Sequence, residues 1–184
     1  AVVVMMLFMD SFLIPIIFLA SIGMAILYNL GSNYFLGEIS YITKALSAIL
    51  QLGVTMDYSI FLWHSYNEQK VRFDGDKERA MAHAISNSIV SVASSSITTI
   101  AGFLSMCFMS FTLGADLGIV MAKGVVFGLI GCVTILPSLI LVFDKAIEKT
   151  RHKQLMPKFD KVAKFITKRS WIFLIIFAVL IGPA

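Results

Sequence analysis

The stretch "LGVTMDYSIFL", residues 52–62, sets one aspartate, Asp57, inside an apolar run, with Tyr58 beside it. The run extends from about residue 42 to residue 66, long enough for a helix rising 1.5 Å per residue to cross a bilayer core about 30 Å thick. The rest of the chain matches it. Of 184 residues, 58% are hydrophobic and only 14% charged, and the mean hydropathy is +0.87. A water-soluble domain with a polar exterior is excluded, and a polytopic membrane protein is expected.

Four runs are long enough to span: residues 12–30, 42–66, 82–111 and 117–143, together a four-helix core over residues 11–144. The N-terminal "AVVVMMLFM" lacks a basic leader and reads as the end of a helix, residues 1–10. "WIFLIIFAVLIGPA" opens a further crossing within residues 169–184. The chain therefore reads as an excerpt of a longer polypeptide. Pro15 falls in the first turn of the first run, where a missing amide proton costs least. Gly75 and Asp76 form a turn and a helix cap before the third.

Lysine and arginine fix the expected orientation. The connection after the second run holds Lys70, Arg72, Lys77 and Arg79, and the one after the fourth is richer still, whereas "NLGSNYFLGEISY" and "SFTLGAD" hold none. The positive-inside rule places the basic loops in the cytoplasm. Within residues 145–168, Leu155, Met156, Phe159, Val162, Ala163 and Ile166 recur at helical spacing between lysines. That is the pattern of a helix lying on an anionic inner leaflet, not of a nucleic-acid patch.

Polar residues inside the spans carry the functional reading. An aspartate at the centre of a spanning helix costs about 2.5 to 3.5 kcal/mol on insertion scales, so Asp57 is a functional candidate by default. Burial favours the neutral carboxyl, and Tyr58 can hydrogen-bond a nearby carboxylate. At 100° per residue, Ser47, Gln51, Thr55 and Tyr58 share one side of the second run, while Ile49, Leu52, Met56, Ile60 and Trp63 form an apolar stripe suited to lipid. In the third run Ser88, Ser91, Ser95, Thr98, Thr99 and Gly102 fall within about 100° of arc. Thr55, Ser91, Ser95, Thr98 and Thr99 are read as a polar lining beside Asp57. Gly124, Gly128 and Gly131 make a small-residue packing face.

Lys123 is a second intramembrane charge. Counting from the basic ends puts Asp57 about 15 Å and Lys123 about 30 Å deep, too far apart to pair. Lys123 is expected to snorkel to the opposite surface or to meet a group outside the chain. Cys107 and Cys132 lie in apolar runs, and His64, His83 and His152 lack metal-ligand spacing, so neither a disulfide nor a metal site is expected. Neither a phosphate-binding glycine loop nor a nucleophile elbow occurs, and no cofactor or enzymatic chemistry is expected.

"LGVTMDYSIFLWHSYNEQ", "DKERAMAHAISNSIVSVASSSITTIAGFLSM" and "LGIVMAKGVVFGLIGCVTILPSLILVF" together resemble the MMPL branch of the RND superfamily of exporters. The specific part is the Gly-x-x-x-Asp-Tyr element from Gly53 to Tyr58. The resemblance implies an all-α transmembrane bundle, sterol-sensing-domain-like, running from the end of helix two to the start of helix seven of a transporter with two similar halves. It implies that Asp57 and Tyr58 form a proton relay facing a second Asp-Tyr pair elsewhere in the polypeptide. It also implies protons and a hydrophobic or amphiphilic compound as partners. A lipid- or sterol-sensing domain without transport is the alternative, against which an intramembrane titrating group weighs.

Overall fold

A computed structural model of the protein describes residues 5, 9, 11–36, 39–109, 112–150, 169 and 171. Helix α1 spans Leu13–Ser32 and ends in a 3-10 turn, Asn33–Leu36. Helix α2 spans Tyr41–Arg72, and α3 spans Lys77–Ser105 with a 3-10 turn at Met106–Phe108. Helices α4, Thr112–Val133, and α5, Ile135–Lys149, follow with one residue between them. Four stretches are long and apolar enough to cross a membrane: Leu13–Ser32, Tyr41–Arg72, Lys77–Phe108 and the α4–α5 pair over Leu113–Lys149. The described chain is an all-α transmembrane bundle.

Many large apolar side chains, which a lipid solvent accepts, reach the surface. Ile49, Leu27 and Val142 are each about 70% exposed or close to it, at 67%, 70% and 74%. Lipid satisfies no backbone hydrogen bonds, so these helices must close their own. The tight turn from α2 to α3 is made by Asp74 and Gly75, both at positive φ, 51° and 88°. The Gly75 amide donates to the Lys70 carbonyl at 3.0 Å. The Asp76 carboxylate then caps α3 by accepting from the Arg79 amide at 3.2 Å, as the sequence led us to expect.

The fourth run, read from sequence as a single crossing, is one membrane-long stretch with an irregularity at a single residue. Proline at 137 has no amide proton to give the Val133 carbonyl, and its ring crowds that turn. Thr134 stays in the right-handed helical region but is distorted, at φ −112°, ψ −61°. Its hydroxyl donates back to the Ile130 carbonyl at 2.6 Å, and α5 resumes at Ile135. Ser11 Oγ lies 2.6 Å from Thr150 Oγ1. The start of α1 therefore meets the end of α5 at the basic end of the bundle.

Helix α4 lies at the centre, packed against α1, α2 and α3. Its glycines make that possible. A Cβ on Gly124 would come within 2.6 Å of Asn29 Nδ2 and 3.0 Å of Gln51 Oε1, and one on Gly128 within 2.5 Å of Thr55 Oγ1. Gly131 faces the Ala25 methyl. The missing side chains let α1 and α2 press polar groups directly onto the α4 backbone. Trp63, expected on the lipid stripe of α2, is 7% exposed and tilts against Tyr66 with ring centroids 5.7 Å apart. The stripe assumed one straight lipid-facing line, whereas neighbouring helices cover the basic end of α2.

Of residues 1–10 only Met5 and Met9 are described, and Met5 is buried in the core. The amphipathic segment expected over residues 145–168 lies outside the described residues beyond Thr150, as does nearly all of 169–184.

Gly128→Ala is expected to destabilise the full-length protein by about 1–3 kcal/mol, because Thr55 must yield or α2 and α4 must separate. Gly23→Ala, where an added Cβ meets nothing within 4 Å, should be neutral or slightly stabilising. Thermal unfolding of the two variants in detergent compares them.

Candidate functional site

Helices α2 and α3 run side by side, and between them opens a cavity of about 300 Å³. It is lined by Val54, Asp57, Tyr58 and Phe61 from α2 and by Ser91, Val92, Ser95 and Thr99 from α3. Helical spacing explains the set. Positions 54, 57, 58 and 61 recur at intervals of three and four, as do 88, 91, 92, 95 and 99, so each row faces one way. Asp57 is exposed on this side of the bundle, while Tyr58 is buried. The Tyr58 hydroxyl has no hydrogen-bond partner.

The structure thus brings together Asp57, Tyr58, Ser91, Ser95 and Thr99. Two residues read as lining fall elsewhere. Thr55 points away from the cavity and is buried between α2 and α4 against Gly128. Thr98 is exposed and donates to the Ser94 carbonyl at 3.1 Å. Both were grouped with the lining by an arc too broad to resolve a helix with different neighbours on its two flanks.

Lys123 reaches toward the end of the bundle away from the basic loops, one of the two outcomes expected for it. Its ammonium hydrogen-bonds Asn33 Oδ1, a group within the described chain. The next residue, Gly124, packs at the level of Gln51, six residues from Asp57, or about 9 Å along α2. The separation along α2 is smaller than residue counting suggested, since a count made along each helix separately does not register how the two are set against one another. Lys123 is nevertheless drawn toward α1, whereas Asp57 opens toward α3.

A second polar centre was not read from the sequence at all. At the basic end, Asp144 of α5 is 1% exposed. Its Oδ1 accepts from the Tyr66 hydroxyl at 3.0 Å and from Lys70 Nζ at 2.9 Å. Its Oδ2 pairs with Lys77, the first residue of α3. Lys70 also reaches Glu148 at 2.7 Å and lies 5.8 Å from the centre of the Tyr66 ring. The cluster ties α2, α3 and α5 together. In sequence Asp144 is one acid at the edge of a lysine-rich segment; the available signal was Tyr66 and Lys70, four apart on one face of α2.

Over residues 1–173 the chain matches the MMPL family. It belongs to that family. The resemblance carried by the Gly53–Tyr58 element and the threonine-rich third run is thereby confirmed. This MMPL chain is 33% identical over 98 residues to a membrane protein of Methanocaldococcus jannaschii, a match covering 53% of the chain and 25% of the relative. It is 31% identical over 124 residues to the membrane protein ActII-3 of Streptomyces coelicolor, covering 67% of the chain and 17% of the relative. It is 29% identical over 102 residues to the hopanoid transporter HpnN of Rhodopseudomonas palustris, covering 55% and 12%. The MMPL chain thus spans a quarter or less of the length of these relatives. No solved structure matches it.

Among the described residues of the MMPL chain no group of three or more His, Cys, Asp or Glu side chains is placed to hold a metal ion. Cys132 is buried in the core and Cys107 is partly buried, both as free thiols.

Replacing Asp144 by alanine removes the counter-charge that Lys70 and Lys77 share and leaves the buried Tyr66 hydroxyl without its acceptor. The expected loss is about 1–3 kcal/mol, the usual cost of an unsatisfied buried polar group, since both lysines reach solvent. Glu148→Gln, at a half-exposed position, should cost about 1 kcal/mol or less. Denaturation of the two variants side by side tests the ranking.

Proposed function

We propose that this chain is the relay-bearing transmembrane portion of an exporter that uses the proton-motive force to move lipids, drugs or other hydrophobic compounds out of the cell. The observation that carries the reading is the placement of Asp57. A carboxylate sits midway along a membrane-spanning helix, opens onto a cavity, and has beside it a tyrosine hydroxyl that nothing else engages. A carboxylate so placed is costly to insert, and a fixed structural role for it would call for a fixed partner. Membership of the MMPL family and the name of the relative HpnN support transport of a hydrophobic cargo.

Protonation of Asp57 removes a charge from the membrane and changes which neighbours α2 prefers. An equilibrium between two access states shifts accordingly. One proton descending about 100 mV contributes about 2.3 kcal/mol, enough to bias that equilibrium by nearly fiftyfold. Ser91, Ser95 and Thr99 offer hydroxyls along the cavity wall, suited to holding water against the carboxyl. Thr99 already donates to the Ser95 carbonyl at 2.9 Å, which leaves its oxygen lone pairs available to accept. The partner on the open side of the cavity would be a second Asp-Tyr pair in the remainder of the polypeptide.

In this reading the basic ends of the helices lie in the cytoplasm, by the positive-inside rule, and the protein resides in a bacterial plasma membrane. The basic segment of residues 145–168 would rest on anionic inner-leaflet lipid.

Asp57→Asn in the full-length protein, assayed in vesicles with an imposed proton gradient, should abolish gradient-driven export while membrane abundance stays at wild-type level. Export that persists undiminished and still collapses with a protonophore contradicts the relay.

A further inference from the structure

The face of α2 next to the cavity-lining flank, turned toward α1 and α4, carries a row of buried polar side chains that the relay does not use. Ser47, Gln51, Thr55 and Ser59 recur every four residues, all fully buried. They press on α1 and on the glycine notches of α4. Helical hydroxyls in this protein mostly satisfy themselves by donating to the carbonyl four residues back, as Ser59, Ser96 and Thr98 do at 3.0, 2.7 and 3.1 Å. Thr55 does not. Its Oγ1 turns instead toward Gly128 and has no hydrogen-bond partner.

Three other buried atoms on the same path are unpartnered: Asn29 Oδ1, Gln51 Nε2 and the Tyr58 hydroxyl. Asn29 and Gln51 are already joined, Asn29 Nδ2 donating to Gln51 Oε1 at 2.8 Å, which fixes which end of each amide stays free. What remains is one pure acceptor, one pure donor and two hydroxyls able to do both. Residues 51 and 55, and 55 and 58, are four and three apart on a helix, so their Cβ atoms stand about 5–6 Å from one another and their polar ends leave the helix as neighbours. One water bridges polar atoms about twice a hydrogen-bond length apart. Leaving each group dry costs about 1–3 kcal/mol, and buried water is held where two to four polar atoms converge.

We propose that Asn29, Gln51, Thr55 and Tyr58 form an internal water-binding site between α1, α2 and α4. The proposal rests on the relay reading for its functional consequence. Through this water Gln51 and Thr55 are positioning residues: they orient the Tyr58 hydroxyl, whose ring lines the Asp57 cavity, so that its proton points toward the carboxylate. Other ionisable groups lie apart from this site. Helix α1 carries no charged side chain. On α4 Lys123 is taken by Asn33 and Asp116 lies in the turns before it, near the start of the helix. The charged and histidine side chains of α3, Lys77 to His83, and those of α5, Asp144 to Lys149, lie toward the basic end.

The test uses the full-length protein in proteoliposomes, reading the pH midpoint of gradient-driven export. Thr55→Val keeps shape but cannot bind water, and should move the midpoint upward by about half a unit or more, since a carboxylate that loses a donor holds its proton more tightly. Thr55→Ser, which restores a hydroxyl, should return the midpoint to the wild-type value. A purely structural Thr55 would change protein abundance and leave the midpoint in place, and that result overturns the proposal. Independently of any variant, a map of the wild-type protein that resolves ordered water should show density between Gln51 Nε2 and Thr55 Oγ1; ordered water elsewhere in the bundle and none there overturns it too. Should Asp57→Asn still export, the relay reading fails while the water density stands or falls alone.

Discussion

The close approach of α4 to α1 and α2 at Gly124 and Gly128 is the contact on which the bundle's arrangement depends. A side chain of any size at either position would collide with Asn29, Gln51 or Thr55. Because the glycines admit these polar groups, the hydrogen-bonding face of α2 is turned inward toward α4, and the neighbouring flank is left to face α3. Asp57 lies on that flank. The notch that packs the core thereby also aims the carboxylate at the cavity, since side chains on one helix cannot be rotated independently.

The two polar centres differ in how they meet the cost of charge in an apolar setting. Asp144 is enclosed by Tyr66, Lys70 and Lys77, every one of them drawn from another helix. Such enclosure makes a fixed joint, and removing any partner exposes the others. Asp57 has an opening instead of an enclosure, and beside it a hydroxyl without a partner. Under the relay proposed for it, Asp57 needs that openness to exchange a proton; a group that holds three helices together needs the opposite. The bundle places the joint at the basic end and the opening near mid-depth, so that the ends of α2, α3 and α5 are held while the middle of α2 can change its contacts.

Much of this was legible in the sequence, for physical reasons that can be named. Length and hydropathy located the four runs because a bilayer crossing demands them. Asp57 stood out because an acid surrounded by residues such as Val54, Met56 and Ile60 has no cheap explanation. Gly124, Gly128 and Gly131 declared a packing face by spacing alone. What could not be read depended on partners distant in sequence. Trp63 belonged to an apolar stripe whether lipid or protein covered it, and only the packed bundle shows it buried. Thr55 and Thr98 looked equivalent to Ser91 and Ser95 until neighbouring helices separated them. Asp144 resembled an ordinary boundary acid because its lysines sit about 70 residues earlier. Lys123 was visible as an intramembrane charge, but its partner Asn33 sits 90 residues earlier and only the packed helices bring the two together.

The account as a whole turns on whether Asp57 changes protonation inside the membrane. Infrared difference spectroscopy of the full-length protein in lipid, with carbon-13 in its aspartate carboxyls and stepped across pH, reads that directly. The account predicts a protonated-carboxyl band that appears and vanishes reversibly within the working pH range and is missing from Asp57→Asn. A spectrum in which no such band depends on Asp57 at any pH would contradict it.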